Sequence, residues 1–500
     1  QDGAGEVTVN AYDFKGNALE VERAIIDRAE VGTDVDWDPG TTNPTLEATT
    51  FTLQATFDAL NRTVTQTTPD ASRSEYGYDE GGLLKTVEVF VHGRSTAKAF
   101  VDDIDYDEKG RRTRIEYGNG TVTEYSYDPL TFRLEQLTTT RSSDSAVLQD
   151  YVYVYDAVGN IVEILDNVQS TLFFDNTLIS PNQQFEYDAL YRLTNAKGRE
   201  KLGLVGVPDR DFAPKYTSGL SGKFTADSPE KLRRYERRYT YDGVGNITEM
   251  RQVSTWTRTY LYDTGNNQLD EIRDASSALL AAFVHNARGA MTSMQHLNTT
   301  GGSGLSSPIV RDFRDQISDV ALNAGTDTAH YQYDPTRERV RKVVRKGVTE
   351  ERIYLGPYEI WRRWNGATLE EERETLHVMD GEKRLAMIET MTVTGATPIP
   401  PLRPFNTRWQ YGNHLGSASL ELDDNADQIS YEEYFPYGST SWWQEKNASP
   451  VSQKRYRYIG KERDEETGLN YHSARYYAPW LGRWCSSDPA GLVDGVGRYS

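Results

Sequence analysis

The residues best suited to metal or nucleophilic chemistry in this 500-residue chain are seven histidines and one cysteine. The histidines stand at 92, 285, 296, 330, 377, 414 and 472, and none falls in an HExxH or other metal-ligand spacing. Neither a metal site nor a cofactor site is therefore expected. Cys485 lies between Trp484 and Ser486, has no CxxC partner and has no identifiable base beside it, so it reads as a small core side chain. There are 75 acidic residues, but no localised pair marks a carbohydrate hydrolase. The acidic run Glu462 to Glu466 reads as a solvated turn rather than a cation site.

What must position any chemistry is a repeat. YDAVGN at 155–160 returns as YDGVGN at 241–246, and Tyr-Asp pairs recur at 12, 78, 106, 127, 155, 187, 241, 262 and 333, with degenerate copies at Phe57-Asp58 and His285-Asn286. Several successive aspartates lie 21 residues apart (58 to 79, 107 to 128, 242 to 263) and others 28 (79 to 107, 128 to 156), the length of one or two hairpins. Tyr closes an alternating strand such as YVYVYD. Asp can accept hydrogen bonds from backbone two residues on, and Gly or Asn supplies the φ > 0 that a tight reversal needs. Each motif is thus expected to be a turn, with Gly159 and Gly245 at positive φ. Asn119-Gly120 gives an independent hairpin signal, with Tyr117 expected to face Tyr125 and Tyr127. The stretches 326–344 and 369–380 are ambiguous in period and are read as mainly strand. GGSGLSS at 301–307 and TGATPIPPLRP at 394–404 read as loops within one architecture.

Composition agrees with a folded β protein. Hydrophobic residues are 37% of the chain, and tyrosine outnumbers phenylalanine 32 to 15, as suits half-buried strands whose hydroxyls meet water. A net charge of -20 disfavours nucleic acid and anionic membrane surfaces. One cysteine excludes an intrachain disulfide. No run of eighteen apolar residues is present, and the opening QDGAGEVTVNAYDF has neither a basic start nor an apolar core, so no membrane insertion and no signal peptide are expected here. Because residue 1 falls inside a repeat, the chain reads as part of something longer.

After about residue 345 the idiom changes to YGNHLGSASLELDD, YEEYFPYG, YIGKERDEETGLNYHSARYY and GRWCSSDPAGL. Together with the Tyr-Asp repeats these segments resemble the YD-repeat, or Rhs, proteins with their Rhs-associated core, and most nearly the BC shell of tripartite ABC insecticidal toxin complexes. Two parts follow: a YD-repeat shell at 1–345 and the Rhs-associated core segment at 346–500. The resemblance implies an all-β strip of hairpins spiralling into a hollow shell, closed by the core. It further implies a variable C-terminal toxin as cargo, a B-component propeller and a pore-forming A component as partners, and secretion as part of a toxin complex.

In relatives the core acts as an aspartyl autoprotease that frees the toxin. The first motif aspartate of that family is matched by Asp488, in Asp488-Pro489-Ala490-Gly491. A second aspartate of the same kind would let one carboxyl stay protonated while the other is ionised and activates water. Here the family's continuation is replaced by Gly497-Arg498-Tyr499-Ser500, so the second aspartate and the scissile bond have no match, and Asp494 reads as a turn residue. Asp488 is then the one catalytic candidate, in a parent that cleaves itself. His414 falls on the family's His-Leu-Gly motif, where a structural hydrogen-bonding role is expected. Sequons at Asn61, Asn246, Asn298 and Asn447 are weak signals, the first two serving the turns. The alternative function is a teneurin-like adhesion surface built on the same shell.

Overall fold

The computed structural model describes residues 1–33, 35–38, 40, 43–174, 176–201, 232–294, 307–322, 325–381, 383–400, 404–445, 451–489, 491 and 499. Most of the 301–307 loop, Asp494 and the sequons Asn298 and Asn447 lie outside these residues. Gly159 and Gly245 do sit at positive φ, 112° and 98°.

Among the described residues, consecutive hairpins join edge to edge into one antiparallel sheet of 33 strands, running from Gly5–Tyr12 to Thr440–Glu445. Both ambiguous stretches are strands: Asp327–Tyr333 pairs with Arg339–Lys346, and Thr368–Asp380 pairs with Tyr358–Asn365. The helical content among the described residues is confined to short 3-10 turns such as Arg28–Glu30. Alternation shows directly in Leu232–Tyr241, where every second residue from Tyr235 to Tyr239 is buried. That period-two pattern is what a pleated strand with one packed face produces. The sheet crosses the 345/346 division without a break, since Arg339–Lys346 pairs with Val348–Leu355.

The strip folds back so that the later strands pack on the earlier ones. Phe100 stacks on Trp409 at 4.8 Å between ring centroids, and Tyr117 meets Tyr411 edge-on at 5.1 Å. Tyr235 likewise meets Phe435 at 4.7 Å. One apolar cluster joins residues 25–117 to 353–442, and another joins 196–344 to 435–485. Residues beyond 345 are thus the common packing partner of both halves of the repeat.

Tyr117 corrects the sequence expectation. It pairs with Thr121, not with Tyr125 or Tyr127, because Gly118-Asn119-Gly120 makes a three-residue reversal. Its ring is directed at Trp409 and Tyr411 instead. A small four-stranded antiparallel sheet, Glu462–Arg463, Asn470–His472, Arg475–Ala478 and Arg483–Trp484, follows the main sheet.

Candidate functional site

The repeated turn explains its own spelling. In 155–160 the Asp156 amide donates to the Asn160 carbonyl at 2.9 Å, and the amides of Val158, Gly159 and Asn160 all donate to Asp156 Oδ1 at 2.7 to 3.0 Å. Asn160 Nδ2 then donates to Oδ2 at 2.8 Å. Where Arg replaces Asn at that position, its Nε does the same: Arg62 to Asp58, Arg111 to Asp107 and Arg192 to Asp188, each at 2.7 Å. Asn or Arg at that position supplies a donor to the second carboxylate oxygen, while the turns at Asp79, Asp274 and Asp334 close with Leu83, Ala278 and Glu338 there, through the backbone amide alone.

The tyrosine has a different task from the one composition suggested. Its hydroxyl does not simply meet water. Tyr78, Tyr106, Tyr127, Tyr155, Tyr187, Tyr241, Tyr262 and Tyr333 donate to the carbonyls of Thr63, Leu84, Arg112, Leu134, Ile161, Leu193, Ile247 and Ile317, at 2.6 to 2.9 Å. Each acceptor is the residue just after the preceding turn, so each tyrosine pins one hairpin to the next. The arrangement persists beyond residue 345: Asn413 caps a turn through Leu415 and Ser417, and Tyr434 donates to the carbonyl of Ala418 at 2.8 Å. Those later turns lack the Tyr-Asp spelling, which is why the sequence shows a change of idiom there.

The acidic run is not a solvated turn. Glu462 and Asp464 are buried, and Arg339 donates to both, at 2.5 Å to Glu462 and 2.7 Å to Asp464. Lys342 reaches Asp464 at 2.8 Å and Arg455 reaches Glu462 at 2.7 Å. Burial alone would raise the Glu462 pKa, but Lys342, Arg339 and Arg455 together hold it below the usual carboxylate range. Since Arg339 and Lys342 lie on strand Arg339–Lys346, the network ties residues 455–464 to that strand. Removing one member of such a buried pair costs about 3–5 kcal/mol.

Asp488 lies at the far end of this packing. The segment before it is held tightly: the Cys485 amide donates to the Tyr476 carbonyl, and the amide of Met291 and the guanidinium of Arg311 donate to the Cys485 carbonyl. Cys485 is fully buried, and burial pushes its thiol up to about 12, which removes it as a nucleophile and matches its reading as a core residue. Arg475 lies 2.9 Å from Asp488 Oδ2, and its guanidinium also covers Trp484. Asp488 is partly exposed, and its carbonyl accepts from the Gly491 amide at 3.0 Å. Tyr499 donates to the Gly289 carbonyl at 2.7 Å, inside the degenerate repeat turn at Asn286.

Most histidines are structural. Burial lowers His285, His414 and His472 to about 4, so they are neutral at ordinary pH. His414 packs edge-on against Tyr153 at 4.9 Å, while its neighbour Asn413 makes the hydrogen bonds. His377 lies between Glu359, at 2.9 Å, and Arg384, which donates to its Nδ1 at 2.7 Å. His92 differs from these: it converges with Asp70 and Glu374, whose distances along the chain concealed the grouping.

No protein-family model matches the chain. It is 32% identical over 471 residues to the toxin subunit YenC1 of Yersinia entomophaga, covering 90% of this chain and 46% of that one. It is 30% identical over 523 residues to YenC2 of the same organism, covering 100% of this chain and 51% of the relative. The chain thus spans about half the length of these curated relatives. The crystal structure of TcdB2-TccC3-TEV matches all of this chain over 23% of its own length, with a TM-score of 0.82 and 28% identity. The TcdB2-TccC3 structure without its hypervariable C-terminal region matches with a TM-score of 0.81. With its tyrosine-pinned hairpins and this agreement over the full length, the chain is a YD-repeat, Rhs-type shell segment of the kind found in Tc toxin complexes.

Proposed function

We infer that this chain forms the wall of a secreted toxin-delivery protein, enclosing a C-terminal toxin polypeptide until release, and that its parent cleaves itself with Asp488 as one of two catalytic carboxylates. The observation that carries the reading is agreement over the whole chain with structures containing TcdB2 and TccC3, together with the SSDPAGL motif in which Asp488 stands. The enclosed space and the assembly with a B-component propeller and a pore-forming A component belong to this proposal.

The position of Asp488 supports the assignment. It lies just after the tightly held segment at Cys485, and the Arg475 guanidinium faces it, so a charged carboxylate is accommodated there. Peptide hydrolysis by an acid pair needs one carboxylate to take a proton from water while the other donates one to the departing amine. Asp488 would be one of the two carboxylates, and a second Asp-Pro motif downstream in the parent would supply the other.

The test is expression of the parent with its downstream sequence, as wild type and as Asp488→Asn, followed by gel and intact mass. Two fragments from wild type and one uncut chain from the variant are expected. Equal cleavage in both removes Asp488 from the chemistry.

A further inference from the structure

Asp70, His92 and Glu374 arrive from separate stretches: the turn after strand Thr63–Thr67, the Val91–Gly93 turn, and strand Thr368–Asp380. Each offers one ligand atom, and those atoms all lie within 4.8 Å of one another. We propose that they form a site for one divalent cation of the zinc class, which fastens the early hairpins to the strands beyond residue 345.

The distances suit a metal. His92 Nε2 lies 3.5 Å from Asp70 Oδ2. In a tetrahedral site with bonds of about 2.0–2.1 Å, neighbouring ligand atoms stand about 3.3–3.4 Å apart. Both side chains are largely removed from solvent, at 8% and 5% exposure.

The surrounding groups already hold the ligands in place. Thr68 Oγ1 and Ser72 Oγ donate to the two oxygens of Asp70, at 2.6 and 2.7 Å, as outer partners of a ligating carboxylate do. The His92 amide donates to the same Ser72 Oγ at 2.9 Å, so a single hydroxyl positions both ligands. His92 has φ 53° and ψ 41°, a left-handed conformation that a histidine keeps only where its surroundings impose it. Thr390 Oγ1, 3.2 Å from His92 Nε2, places a further oxygen beside the vertex. On the other side the Tyr358 phenol is hydrogen-bonded to Glu374.

The donor set selects the metal. An imidazole with few, inward-held oxygens favours zinc and its first-row neighbours over calcium or magnesium, which take six or more oxygens or keep their water. Two carboxylates match the charge of a divalent ion. Because the ligands come together only in the folded chain, binding would stabilise that state.

The test uses the whole chain, stripped with a chelator, loaded with zinc, desalted and assayed by elemental mass spectrometry. Wild type is expected to retain one equivalent and to melt at a higher temperature with zinc but not with magnesium or calcium. Glu374→Gln and His92→Asn are expected to lose both effects; asparagine tolerates positive φ, so that variant keeps the turn. Circular dichroism of the stripped variants checks folding. If either variant fails to fold, the cobalt-loaded wild type decides, with a visible absorption band of tetrahedral type supporting the site. No retained zinc in wild type, unchanged retention in folded variants, or the absence of that cobalt band overturns the proposal.

Discussion

In turns such as those at Asp58, Asp156 and Asp242 one aspartate closes the reversal, and a positive-φ residue three positions later completes it. Gly245 occupies such a position at φ 98°, and a Cβ there would meet nothing within 4 Å. Gly245→Ala therefore isolates the backbone cost, expected to be about 1 kcal/mol in a denaturant titration; no loss would mean that the turn relaxes. Asp242 gives a pH prediction. Burial would raise its pKa, but the hydrogen bonds from Asn246 and the turn amides bring it below the usual value. A folded-state pKa below the unfolded one contributes stability above roughly pH 4, which is lost as pH falls through the folded value. Asp242→Asn keeps the backbone acceptor, as Asn413 does naturally. That variant should lose part of the acid dependence while remaining folded, and an unchanged stability–pH curve would contradict the role. These residues were legible in the sequence because the turn is local and its letters repeat. The burial of Glu462 and Asp464 was not, since their partners Arg339 and Lys342 lie more than a hundred residues away.

At the scale of the hairpin the unit is the tyrosine that reaches back over the preceding turn. Tyr155 donates to the Leu134 carbonyl at 2.8 Å, with Arg133 lying over its ring. Tyr155→Phe keeps the ring and removes only the donor, leaving one carbonyl to find water. The expected loss is about 1 kcal/mol. Hydrogen exchange should speed up in strands Leu134–Arg141 and Ala146–Tyr155, which the hydroxyl joins, before it does elsewhere. Faster exchange spread evenly over the sheet would show that the hydroxyl is not a local fastener. The strand-turn-strand order and the all-β class could be read from alternation and turn residues, as the pairing of Asp327–Tyr333 with Arg339–Lys346 bears out. The hydroxyl's acceptor could not, because it depends on which hairpin lies alongside. Tyr117 fails for the same reason: its true neighbours, Trp409 and Tyr411, are almost three hundred residues away.

For the whole molecule the open quantity is the space the strip encloses. A solid globule of 56.6 kDa would expose about 18,600 Å² by the usual scaling, whereas this chain exposes 23,067 Å². A sheet wet on both faces adds area, and so do long loops, so area alone does not separate a shell from a ragged solid. Radius of gyration does, because it weights mass by its distance from the centre. A solid chain of 500 residues has a radius of about 23 Å. Mass moved from the centre into a wall must raise that value, whereas flexible loops mainly lengthen the tail of the distance distribution. Small-angle scattering of the monomer should therefore give a radius clearly above 23 Å, with the main peak of the distance distribution itself shifted outward. A peak at the position of a solid sphere of the same mass, even with a long tail, would refute the enclosed chamber and leave only a strip of hairpins packed on its own end.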